Sequence, residues 1–147
     1  MPRQREPLKL LIVEDNPGDA ALFQTFFKQN GRRTHFTVAT DGEEAMDYLF
    51  RKVPEDPALR PDLIVMDLNI PKIDGKNVAR EIKRSPSLQS IPIIVMTSSE
   101  NEEDIRKSYE AGANCVLIKA SDVAQAIRIF ELIETFWVNT VRLARNG

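Results

Sequence analysis

One cysteine and one histidine in 147 residues leave little material for thiol or imidazole chemistry. Cys115 has no partner for an intrachain disulfide, which fits a reducing compartment, and it reads as a small buried residue. His35 opens an apolar run next to Arg32 and Arg33; a solvated histidine beside a solvated turn is the expectation, not a catalytic base. An excess of one charge is also missing. The formal net charge is −2, with both signs mixed along the chain. No long-range field steers the protein onto nucleic acid or an anionic membrane, so the expected partners are proteins and small ions. Long apolar runs are absent as well. Leu10 to Val13 and Ile64 to Met66 are broken by charge well short of the roughly 20 residues of a spanning helix. Met1 to Pro7 is polar, lacks a signal peptide's apolar stretch and reads as a flexible terminus (residues 1–7) on a cytoplasmic protein.

What is present is a regular alternation. Five short runs rich in Val, Ile and Leu predict strands over Leu8 to Val13, His35 to Ala39, Asp62 to Asp67, Ile91 to Thr97 and Asn114 to Lys119. Helical periodicity between them predicts helices over Gly18 to Asn30, Asp41 to Arg51, Gly75 to Ser85, Asn101 to Ala111 and Ser121 to Arg145. Pro17 behind Asn16 suits a helix start, Gly31 after Asn30 a stop, and Ser121 with Asp122 an N-terminal cap. The three prolines of Val53 to Pro61 predict a loop. Right-handed crossovers then give an α/β fold, a doubly wound five-stranded parallel sheet in the flavodoxin-like order 2-1-3-4-5, as one domain over residues 8–147.

In such a sheet, ligands bind beyond the carboxyl ends of the strands where the order reverses. Glu14 and Asp15 end the first strand, Asp67 the third, Thr97 the fourth and Lys119 the fifth. A single polar residue at a strand end is ordinary. Three carboxylates on one rim repel one another, and an oxygen-seeking cation, Mg²⁺ or Mn²⁺, is the simplest neutraliser. Asp15 and Asp67 are expected as direct ligands, Glu14 through a water, and Asn69 through its backbone carbonyl. Beside such a cation Asp67 is placed to attack phosphorus and form an aspartyl phosphate, with Lys119 and Thr97 stabilising charge on the phosphoryl oxygens. A plain Lys119–aspartate ion pair is the structural alternative.

These residues resemble the receiver domains of two-component response regulators. The resemblance rests on Glu14-Asp15-Asn16, the run Asp67-Leu68-Asn69-Ile70-Pro71-Lys72-Ile73-Asp74-Gly75, Thr97-Ser98 and Lys119, and covers the chain from Leu8 onward. It implies Asp67 as phospho-acceptor, Glu14 and Asp15 as the acidic metal pocket, and Thr97 with Lys119 as the switch pair. It also implies a phospho-acceptor that assists only its own phosphorylation and dephosphorylation, not an enzyme acting on other substrates. Glu14 to Ala20, Asn114-Cys115 and Ile133-Glu134-Thr135-Phe136-Trp137 are similar to the small response regulators of bacterial and cyanobacterial phytochromes. That implies a light-regulated sensor histidine kinase, a bacteriophytochrome, as donor and a homodimer through the last helix. Two positions depart from the family pattern. Val116 stands where an aromatic is usual, so no ring there can report phosphorylation, and Ala120 follows Lys119 where proline is common, leaving cis or trans open.

An output domain normally follows a receiver, and none follows the fifth helix, so output is expected through surface contacts. On that helix, taken over 121–145, Val123, Ile127, Phe130, Trp137 and Val141 form a stripe expected to face the sheet. Ile129, Leu132, Phe136 and Leu143 widen the apolar arc and form a candidate dimer or docking seam. Other functions fit less well. A phosphorylation-independent interaction adapter is the alternative, although every acceptor-site residue is present. A dehalogenase-like phosphatase needs a general acid two residues after the nucleophile, where Asn69 stands. A flavodoxin-type carrier needs a first loop that cradles phosphate, which Glu14, Asp15 and Asp19 would repel.

Overall fold

The computed structural model describes residues 7–29 and 33–144. Its strands are β1 (Leu8–Val13), β2 (Thr34–Ala39), β3 (Leu63–Asp67), β4 (Ile93–Thr97) and β5 (Cys115–Ile118). They form one parallel sheet in the expected order β2-β1-β3-β4-β5. β1 has the expected bounds, and those of the other four differ from the expected ones by one or two residues. Pro92 has no amide hydrogen to give the ladder, so β4 begins after it.

Successive residues of β1 point to opposite faces and join different cores. Leu10 and Ile12 pack with Phe23, Phe27, Phe130 and Ile133, beneath helices α1 (Pro17–Gln29) and α5 (Val123–Ile133). Leu11 and Val13 pack with Ala45, Val78, Ile82 and Ala111, beneath α2 (Gly42–Asp47), α3 (Gly75–Arg84) and α4 (Glu102–Ala111). Burial on both faces explains why these strands read as continuous apolar runs.

Each helix starts behind an Asx side chain that accepts an otherwise unpaired amide. Asn16 Oδ1 accepts from Asp19 at 3.1 Å, Asp41 from Glu44 at 2.7 Å and Asp74 from Lys76 at 2.7 Å. Asn101 accepts from Glu103 at 2.9 Å and Asp122 from Gln125 at 2.8 Å. The expected stop of the first helix at Asn30 and Gly31 lies outside the described residues, as do Arg32, residues 1–6 and Arg145.

Three expectations are corrected. The second helical segment does not stop at Arg51: a π-helical turn (Tyr48–Lys52) and a short α turn (Val53–Glu55) that contains Pro54 carry it into the expected loop. A 3₁₀ turn (Pro57–Leu59) follows, capped by Asp56. The last helix does not run from 121 to 145. After Ile133 it passes into a π-helical turn (Glu134–Val138) and ends. There the Thr140 hydroxyl donates to the Thr135 carbonyl, and the stretch Val138-Asn139-Thr140-Val141 favours neither helix continuation nor its side-chain rotamers. Finally, Val123 does not face the sheet. It sits in the first turn of α5, 59% exposed, and Ile133 and Val138 are buried instead.

Candidate functional site

The carboxyl ends of β1, β3, β4 and β5 meet on one rim. The Glu14 amide donates to the Ala39 carbonyl at 2.9 Å, extending the β1–β2 contact by a residue and turning the Glu14 side chain inward. Glu14 is buried, Asp67 half-buried and Asp15 exposed, and one carboxylate oxygen from each lies within 4.8 Å of the others. Asp67 Oδ1 accepts the Asn69 amide at 3.1 Å, which orients the carboxylate. The loop after Asp67 can pass this closely because residue 75 is glycine. A Cβ there would stand 2.9 Å from the Leu68 carbonyl oxygen and 3.1 Å from that of Asp67.

Lys119 reaches the same cluster from the end of β5, where its amide donates to the Thr97 carbonyl at 2.7 Å. Its ammonium donates to Glu14 Oε1 at 2.6 Å, Asp67 Oδ2 at 2.9 Å and Asp19 Oδ2 at 3.3 Å. Burial opposes the Lys119 charge, but the bonds to Glu14 and Asp67 outweigh it and hold the ammonium protonated well above the ordinary lysine range. Burial pushes the Glu14 carboxyl up, and the hydrogen bond from Lys119 offsets only part of that.

One ammonium against the three clustered carboxylates leaves excess negative charge among hard oxygen donors. That donor set fits a divalent cation. Thr97 is fully buried at the end of β4. Its hydroxyl accepts the Ser99 amide at 3.0 Å, and Ser99 Oγ donates to Asp104 Oδ2 at 2.8 Å, tying the rim to α4.

A family model described as the response regulator receiver domain matches residues 10–131. The chain belongs to that family. Response regulator Rcp1 of Synechocystis sp. is 39% identical to this receiver over 137 residues, 93% of each chain. The crystal structure of the Mn(2+)-bound form of Rcp1 matches with a TM-score of 0.87 at 38% identity, covering 95% of this chain and all of that one. The phosphorylated cyanobacterial phytochrome response regulator RcpA matches with a TM-score of 0.89 at 39% identity, with the same coverage. This receiver is thus a response regulator resembling Rcp1 and RcpA, with a site whose acidic cluster fits divalent metal.

The structure gathers Glu14, Asp15, Asp67 and Lys119 of this receiver, with the Asn69 amide on Asp67 and Thr97 at the neighbouring strand end, where its carbonyl meets the Lys119 amide. Asp19 is the residue that the strand-end reasoning omitted. The available signal was its place in the first turn of α1, four residues after Asp15. Among the described residues no peptide bond is cis, so Lys119–Ala120 is trans. Val116 packs half-buried against the core under α4, and Cys115 is half-buried where a buried residue was expected. The seam on the last helix divides. Leu132 and Phe136 are exposed at 64% and 54%, whereas Ile129 and Leu143 are half-buried against the α1–α5 core.

Proposed function

We propose that this receiver accepts a phosphoryl group from a sensor histidine kinase on Asp67. The observation that carries the reading is the position of the Asp67 carboxylate, within 4.8 Å of the Glu14 and Asp15 oxygens and 2.9 Å from the Lys119 ammonium. Asp67 attacks phosphorus, the bond from phosphorus to the histidine nitrogen of the donor breaks, and that nitrogen keeps the electron pair. Asp15, Asp67 and the Asn69 carbonyl, with Glu14 through a water, would hold Mg²⁺ or Mn²⁺, which would supply positive charge for the phosphoryl oxygens. Lys119 contributes a second positive charge. The buried Thr97 hydroxyl is a hydrogen-bond donor to the same oxygens, kept at the rim by Ser99.

The likeness to RcpA, whose structure is of the phosphorylated protein, and to Rcp1 with Mn(2+) supports this reading. It also supports a phytochrome-type kinase as the donor. Leu132 and Phe136, flanked by half-buried Ile129 and Leu143, form our candidate homodimer seam. Among the described residues no helix is long and apolar enough to cross a membrane, in keeping with a cytoplasmic acceptor. We read the protein as an acceptor that promotes only its own phosphoryl transfer and loss.

The test is intact mass after incubation with acetyl phosphate, with and without Mg²⁺, for the native chain and Asp67→Asn. A phosphoryl increment that needs both the cation and Asp67 is expected. An increment that survives Asp67→Asn overturns the acceptor assignment. None in the native chain, beside a labelled control receiver, favours an adapter that signals by binding alone.

A further inference from the structure

Lys119 has three ammonium protons and three carboxylate acceptors, and the acceptors are not equivalent. Glu14 and Asp67 belong to the clustered set that fits a cation, and their side chains are 7% and 11% exposed. Asp19 lies outside that set, 51% exposed, in the first turn of α1. Its backbone amide is held there by the Asn16 side chain.

A divalent cation among Glu14, Asp15 and Asp67 draws on the carboxylate charge that holds Lys119 and repels the ammonium directly. Asp19 is the acceptor of Lys119 that the cation does not claim. A lysine with no such alternative must compete with the cation for Glu14 and Asp67 or leave the rim.

We propose that Asp19 is a positioning residue, a counter-charge outside the cluster that keeps the Lys119 ammonium beside Asp67 while a divalent cation occupies the acidic cluster. This rests on reading the cluster as a cation site. Asp19 touches neither the cation nor the phosphoryl group; it acts through Lys119. Without Asp19, the ammonium settles wholly on Glu14 and Asp67 and competes with the cation.

The experiment is Mn²⁺ titration of the native chain, Asp19→Asn, Lys119→Gln and the double variant, with thermal midpoints as a check on folding. In the native background Asp19→Asn weakens Mn²⁺ binding about two- to five-fold, the range of a partly exposed ion pair. In the Lys119→Gln background the same change has no effect, because the competitor is gone. Asp19→Glu restores most of the native affinity. Lys119→Ala serves in the cycle if Lys119→Gln fails to fold.

An equal loss in both backgrounds overturns the proposal, since Asp19 then acts as a general surface charge. The parallel readout is the rate of labelling by acetyl phosphate, which should fall in Asp19→Asn and recover in Asp19→Glu. If the native chain binds Mn²⁺ but is not labelled, the acceptor reading fails while the Mn²⁺ cycle still decides the role of Asp19. If the native chain binds no Mn²⁺, the cation reading and this proposal fall together.

Discussion

The Tyr109 hydroxyl accepts the backbone amide of Val116 at 3.1 Å, across the edge of β5 that faces away from β4. A side chain of α4 thus covers an outward-facing amide of the edge strand at the position where the family pattern has an aromatic. Tyr109→Phe removes the acceptor and leaves the amide to partial solvation. The expected cost is about 0.5–1 kcal/mol, within the usual worth of one hydrogen bond. Faster hydrogen exchange at Val116 and a lower urea midpoint check it; unchanged exchange would show that the bond does not protect the edge.

Lys119 gives the stability of the fold a defined pH dependence. Its bonds to Glu14 and Asp67 raise its pKa in the folded state, so the unfolded chain releases the proton first as pH rises. The ion-pair contribution is complete below the ordinary lysine value and is lost as pH climbs through the folded value. Against Lys119→Gln, the native chain should be more stable by about 2 kcal/mol at neutral pH, less than the roughly 3–5 kcal/mol of a fully buried pair. The difference should shrink above about pH 10.4, the ordinary lysine pKa. Urea unfolding of both proteins between neutral and alkaline pH measures it, and a difference that grew with pH would contradict the assignment.

Gly75→Ala tests how closely the loop must pass the acceptor. The added methyl meets the Leu68 and Asp67 carbonyl oxygens at 2.9 and 3.1 Å, and backbone on both sides must yield. Overpacking of this kind costs about 1–3 kcal/mol. Displacement of the end of β3 should slow labelling of Asp67 by about ten- to a hundred-fold, the scale of a small misplacement of a reacting group. Labelling kinetics at saturating Mg²⁺ give the comparison.

Much of this arrangement is legible in the sequence because each strand is short and ends abruptly. Glu14, Asp67, Thr97 and Lys119 each close a Val-, Ile- or Leu-rich run, and the strand order alone then gathers them on one rim. The helix start at Pro17 and the cap at Ser121 with Asp122 are equally plain. Asp19 is not, because a half-exposed carboxylate in a helix looks like solvated surface until Lys119 is seen beside it. The end of α5 is hidden for a different reason. Trp137, Val141 and Leu143 continue an apolar rhythm past the point where the Thr140 hydroxyl takes a backbone carbonyl, and a count of apolar spacing does not register that competition. Tyr109 and Val116 are linked by a turn geometry that no periodicity reports.

The exposed pair Leu132 and Phe136 predicts a concentration-dependent assembly. Phe136→Glu should leave the thermal midpoint nearly unchanged, because the ring is half in solvent, and should shift the mass measured by light scattering to that of a monomer. A native chain already monomeric at high concentration would remove the seam as a self-association surface.

Among the described residues β5 is paired on one side only, and it has four residues. In mechanical terms the ammonium that faces Asp67 is mounted at the end of an edge beam, anchored by one ladder, by the amide of Lys119 itself on Thr97 and by the Tyr109 hydroxyl on the Val116 amide. A strand at the centre of the sheet would hold that charge stiffly. Here a deflection of the edge would displace a full positive charge relative to the carboxylates, so a contact on the outer side of β5 would also bear on the electrostatics at Asp67.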